Sequence, residues 1–142
     1  MSSFSNPHFM YLFAMNNLVL ALYRQYLGGS AMGLYYLLNN IPAGADPLGP
    51  ENVLTIMLSP TTGVPVSGQS RATANAKSPF TGLIGDAQAG GFWPAQFKFA
   101  GFDGLVITGK SPHPVYLWIH EDQAELRDAS NLWGKLTGQT DE

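Results

Sequence analysis

Glycine and proline set the first limit on this chain. The 16 glycines and 10 prolines make up 26 of its 142 residues, well above the average usage of about 12%. Proline fixes φ and lacks an amide proton, and glycine loses the most backbone freedom on ordering, so both interrupt long helices. A turn-rich fold with short strands is therefore favoured over a helical bundle. At 142 residues there is room for one domain and not for two ordinary ones.

Charge narrows the reading further. Apolar residues are 45% of the chain, enough for a packed core, whereas charged residues are only 12% against a typical share of about 25%. Part of this surface is expected to face another domain, subunit or ligand. A net charge of −3 leaves no electrostatic footprint for nucleic acid or for polybasic membrane binding. The absence of cysteine excludes disulfides, cysteine-ligated zinc and a thiolate-held iron–sulfur cluster within this chain, and fits a cytoplasmic protein. The apolar stretch 9–22 is interrupted by Asn16 and Asn17 and is shorter than the ~20 residues of a membrane span. No Lys or Arg precedes it and no small-residue cleavage site follows, which argues against a secretory signal. Residues 1–25 are expected to form a helix packed on a core or partner.

Along the rest of the chain, Ser30 is placed to cap a helix over 31–38. IPAGADPLGPEN, with Pro42, Pro47 and Pro50, is a connector. VLTIML at 53–58 reads as a buried strand, and SPTTGVPVSGQS at 59–70 as a long polar loop of the kind that often carries function. RATANAK at 71–77 alternates strictly. Arg71, Thr73, Asn75 and Lys77 share one polar face, which is expected to point at something. Ala72, Ala74 and Ala76 share the other, which can lie close to another layer. KSPFTGLIGDAQAGG at 77–91 reads as neither a good helix nor a good strand. A short helix is expected over 92–100, with Pro94 in its first turn. GLVITG and PVYLWIH read as strands, the latter turning through Glu121, Asp122 and Gln123 into AELRD.

Chemistry is sparse. There is no nucleophile elbow, no H-E-x-x-H and no helically spaced carboxylate pair. His8, His113 and His120 stand in unrelated contexts, with His113 and His120 read as surface residues. Asp86 and Asp103 could pair, although turn-forming Asp is the commoner role. The better lead is Ala89-Gly90-Gly91, which runs into the helix at Phe92. Free backbone amides there could hold an anion, and plain helix entry explains the same pattern. Arg71 on the neighbouring strand adds a planar guanidinium suited to phosphate or to a conjugated ring.

DPLGPENVL, SGQSRATANAKSPFTGLIGDAQAGGFWPAQFKFAGFDGLVITGKS and RDASNLWGK occur together in an order and spacing that resemble the N-terminal domain of the tungsten-containing aldehyde:ferredoxin oxidoreductases. The similarity runs from about residue 26 to the C-terminus. This resemblance implies an α+β fold rich in sheet and hairpins with a few short helices. It implies a base on which a tungsten (or molybdenum) bis-pterin cofactor rests, with magnesium joining the pterin phosphates. In such enzymes later helical domains carry the 4Fe–4S cluster, the acid–base residues and most of the substrate pocket, and ferredoxin takes the electrons. Arg71 matches the family's arginine between pterin and cluster. Gln88 stands where the best-known members have a magnesium-binding asparagine, and Ala89, Gly90 and Gly91 match the double-glycine loop. The segment MSSFSNPHFMYLFAMNN replaces the family's usual opening hairpin. The chain also stops before the second pterin loop and the cluster cysteines, so it is expected to be a fragment, inactive alone, whose partners are the catalytic domains. The alternative is a stand-alone binding or assembly module that closes its open sheet edges as a homodimer or higher oligomer.

Overall fold

The computed structural model describes residues 10–13 and 17–141. Strand β1 (Met10–Phe13) leads into helices α1 (Asn17–Tyr26) and α2 (Gly29–Asn40). Strands β2 (Val53–Leu58), β3 (Ala72–Lys77) and β4 (Ile84–Ala89) follow, then α3 (Trp93–Phe99) and β5 (Gly104–Thr108). The hairpin β6 (Val115–His120) and β7 (Gln123–Asp128) precedes a short helix, α4 (Thr137–Thr140). Five strands make one antiparallel sheet in the order β1-β5-β2-β3-β4, and β6-β7 forms a separate ribbon. The expected α+β class is what the chain adopts.

Two-residue periodicity divides the sheet into two buried faces. On one, Val53 and Met57 of β2 and Val106 of β5 pack with Met32 and Leu37 of α2 and Leu22 of α1. On the other, Leu58, Ala72 and Leu105 meet Phe97 of α3, Phe102 and Ala124 of β7. The rings of Phe97 and Phe102 stack with centroids 5.7 Å apart. The hairpin turn between β6 and β7 holds Glu121 at φ 43 and Asp122 at φ 62, the left-handed pair that a tight two-residue turn requires.

The alternating strand β3 resolves differently from expectation. Its small face does lie against another layer through Ala72, but its polar face is covered by α2. Asn75 is only 1% exposed; its Nδ2 donates to Asp86 Oδ2 at 2.8 Å, and Thr55 Oγ1 donates to its carbonyl at 3.3 Å. Asn75 Oδ1 has no conventional donor and instead faces the main chain of Gly33. A Cβ placed at Gly33 would lie 2.2 Å from Asn75 Oδ1 and 2.9 Å from Thr55 Oγ1. The missing side chain lets the helix seat on the polar face.

Three expectations need correction. Residues 84–89, part of a stretch read as neither a good helix nor a good strand, form β4, because pairing with β3 from Ala72↔Ala89 to Lys77↔Ile84 outweighs weak strand propensity. The turn is confined to 78–83, closed by Ser78 N to Leu83 O at 2.7 Å. The stretch 9–22 is not one helix, since Met10–Phe13 pair with Gly104–Ile107 of β5 before α1 begins. Finally, α2 starts at Gly29 behind an N-cap Gly28 with no side-chain cap, so Ser30 lies inside the helix. Among the described residues, no helix is long and apolar enough to cross a membrane.

Gly33→Ala should therefore lower stability by about 1–3 kcal/mol, the usual cost of overpacking, seen as a lower thermal midpoint. A second expectation concerns Tyr36 on the same helix, whose hydroxyl is pushed up to about 12, first by burial and then by Tyr35. The unfolded phenol loses its proton near 10.0 while the folded one keeps it, so stability present below that pH falls as pH rises through the window. Urea midpoints should decline from about pH 10 to 12, and Tyr36→Phe should flatten that decline.

Candidate functional site

The expected site residues gather at one end of β3 and β4. Arg71 immediately precedes β3, and Gln88 lies near the end of β4, opposite Thr73. Both are exposed, and Arg71 Nη1 donates to Gln88 Oε1 at 3.4 Å. Ala89 pairs with Ala72, and the chain then leaves the sheet through Gly90 and Gly91. Gly91 has φ 90, and a Cβ there would meet nothing within 4 Å. Ser70 Oγ donates to the Gly91 carbonyl at 2.5 Å, which binds the approach to β3 to the exit from β4.

The helix that follows contributes less than the spacing implied. It has seven residues, and Pro94 in its first turn removes one of the amides an anion could use. The donors left at this end are therefore the Arg71 guanidinium and the open main chain of Gly90–Gly91. The donors present (one guanidinium, one neutral amide and bare backbone) fit a large organic anion. They do not fit a bare metal ion, and among the described residues no cluster of three or more His, Cys, Asp or Glu could hold one.

The other candidates separate. Asp103 is 5% exposed and pairs with Lys98 of α3. Asp86 lies on β4 and accepts from Asn75. Strands β2 and β3 stand between β4 and β5, so the two carboxylates form no pair. His113 and His120 are exposed; His120 stacks on Trp118, which also carries Arg127 at 3.9 Å from its ring centre. His8 lies outside the described residues.

Sequence reasoning missed three contributors. Thr62 and Ser70 were hidden in a loop flagged only as a whole, and the N-terminal turn of α2 was placed two residues late. That turn reaches the same end of the sheet, since a Cβ on Gly29 would lie 3.7 Å from Thr73 Oγ1. The signal was Gly28-Gly29 directly before an apolar helical run. Two concavities lie elsewhere. One, of about 360 Å³, is bounded by Trp93, Phe97, Phe99 and His120. The other, of about 600 Å³, lies between Leu38 and Ile41 of the α2 end and Leu83 and Ile84. The Arg71 site is an open shelf, with Arg71, Gln88, Ala89, Gly90 and Gly91 all exposed.

At one end of β3 and β4, this α+β domain brings Arg71 and Gln88 beside the exposed main chain of Gly90 and Gly91. The chain belongs to the aldehyde ferredoxin oxidoreductase family: residues 13–142 match the family's N-terminal domain. It is 44% identical over 120 residues to the tungsten-containing aldehyde ferredoxin oxidoreductase of Thermococcus kodakarensis, covering 84% of this chain and 20% of that protein. Identity is 43% over 118 residues, 83% of this chain and 19% of the relative, for the Pyrococcus abyssi protein of the same name. It is 35% over 114 residues, 78% and 18%, for the WOR-like subunit of an aliphatic sulfonate oxidoreductase of Pyrococcus furiosus. Among solved structures, the active site complex BamBC of benzoyl coenzyme A reductase, with 1,5-dienoyl-CoA, is similar. Its TM-score is 0.80 and its identity 38%, over 84% of this chain and 18% of that one. The chain spans about a fifth of the length of these relatives.

The shelf geometry separates two neighbouring glycines. Gly91→Ala must place a side chain at positive φ and should cost about 1–2 kcal/mol. Gly90→Ala, whose Cβ would sit at an ordinary 3.5 Å from Ser70 O, should stay within about 0.5 kcal/mol of the parent. Paired thermal melts check the difference.

Proposed function

We propose that this chain is the cofactor base of an aldehyde:ferredoxin-type oxidoreductase. In this reading Arg71 and Gln88, with the backbone of Ala89–Gly91, seat a tungsten (or molybdenum) bis-pterin. The single observation that carries it is the juxtaposition of the exposed Arg71 guanidinium, 3.4 Å from Gln88 Oε1, with the open main chain of Gly90 and Gly91. When bound, the cofactor supplies two-electron redox chemistry at its metal. The chain's own residues orient it: the guanidinium offers paired donors to an anionic or conjugated group, and the glycines let it approach the main chain. The Gln88 amide oxygen stands where the family's magnesium-contacting asparagine stands, and it can accept or coordinate in the same way.

Exposed apolar side chains support a larger assembly. Phe80 is 95% exposed, Phe92 90% and Trp133 79%, and large apolar surfaces of this kind mark contacts. The partner this reading assigns to them is the set of cluster-bearing, helical catalytic domains of a cytoplasmic enzyme that delivers electrons to ferredoxin. The base alone is inactive in this reading. One observation favours a second reading, a self-associating module: β4 is an unpaired sheet edge with most of its residues exposed, which invites pairing between copies. Light scattering at tens of micromolar separates the two, a monomer counting against self-association.

Anaerobic expression with tungstate, followed by metal analysis and pterin fluorescence, tests the seat. The wild-type chain should retain metal and pterin, and Arg71→Ala should weaken retention about tenfold or more, the effect of one charge-assisted hydrogen bond. A wild-type chain that purifies without either sinks the idea that the isolated base holds its cofactor. Unchanged retention in Arg71→Ala removes Arg71 from the seat.

A further inference from the structure

We propose that Thr62 and Ser70 are positioning residues for this shelf: their hydroxyls clamp the 59–70 loop so that Arg71 and Gly90–Gly91 keep one geometry. The inference deepens the reading of the shelf as a cofactor seat and rests on it. Thr62 is 3% exposed, an unusual place for a hydroxyl unless it is satisfied. It is satisfied in both directions. Its Oγ1 accepts from the Ser59 amide at 3.0 Å and donates to the Arg71 carbonyl at 3.3 Å, using the donor and acceptor capacity of one hydroxyl. Ser70 then joins the loop's far end to the Gly91 carbonyl.

Two further contacts close a ring. Thr61 Oγ1 donates to Gln69 Oε1 at 2.6 Å, joining the two sides of the loop. Lys98, on the helix that directly follows the shelf, reaches the Ser59 carbonyl at 3.5 Å while it pairs with Asp103. The path runs from Ser59 through Thr62 to Arg71, from Ser70 to Gly91, and back through α3 to Ser59. A loop with Gly63, Pro65 and Gly68 would otherwise sample many conformations. Fixing it beforehand lowers the ordering cost that a ligand meets when it engages a long, exposed arginine. Valine would fill the volume of Thr62 equally well, so the hydroxyl acts on position more than on packing.

The test compares Thr62→Val, Thr62→Ser and Ser70→Ala in the nitrogen-15-labelled chain. Backbone order parameters at 69–71 should fall from the rigid ~0.85 to below ~0.6 in Thr62→Val and be restored in Thr62→Ser. Ser70→Ala, at a partly exposed position that the core does not need, should loosen Gly90 and Gly91. In chains that retain pterin, Thr62→Val should lose it as Arg71→Ala does, and the double variant should lose no more, since both act through one group. Order parameters unchanged in Thr62→Val and Ser70→Ala, or a serine variant as mobile as the valine one, overturn the clamp. Multiplying losses in the double variant overturn it as well. A wild-type chain without pterin defeats the seat, while the order parameters still decide the clamp.

Discussion

The close seating of α2 on the polar face of β3 is the contact on which the rest of this domain depends. It works because Gly33 carries no side chain, since a Cβ there would collide with Asn75 Oδ1. Asn75 can then turn its amide group outward to Asp86 on β4. A single buried asparagine thus joins helix, central strand and edge strand. Through that edge strand the contact sets where Gln88, Gly90 and Gly91 emerge. The opposite face is an ordinary apolar core of Phe97, Phe102, Leu58 and Leu105, which anchors α3 behind the shelf.

The shelf is open because of what surrounds it. Its residues are small or conformationally permissive, and the acidic groups nearby are spent on internal bonds: Asp86 on Asn75 and Asp103 on Lys98. Among the described residues, no carboxylate pairs with the Arg71 guanidinium, which makes one long bond to Gln88. Large apolar side chains are also left in solvent at Phe80, Phe92 and Trp133.

Much of this was legible beforehand. The apolar run of β2, the alternation of β3, the β5 and β6 strands and the turn at Glu121–Asp122 all carry local signatures, and each appears where those signatures put it. Strand β4 carries none, because Gly85, Asp86, Ala87 and Ala89 are weak strand formers; its state comes from six residues pairing with β3. The polar face of β3 was equally ambiguous, since a polar stripe can serve a ligand or a helix with the right gap. The start of α2 was misread because a serine beside two glycines is the stronger capping signal, whereas the observed cap relies on Gly28 at φ 80. Of the site, Arg71, Gln88 and the double glycine were legible through family resemblance, while Thr62 and Ser70 were not, since hydroxyls in a loop look alike until their partners are known.

Composition and local pattern pointed to a turn-rich fold, the turns and most of the strands, because these follow from backbone preferences and short-range periodicity, while the family and its α+β class came from the resemblance of whole motifs. Three things needed the folded chain: which face of β3 is buried, that β4 exists, and that Ser59, Thr62, Arg71, Ser70 and Gly91 meet in one ring. Each depends on contacts between residues apart in sequence, such as Gly33 with Asn75, Ala72 with Ala89, and Ser70 with Gly91. Such contacts form only when chain entropy has been overcome by packing the whole domain, and a single sequence carries no local trace of them.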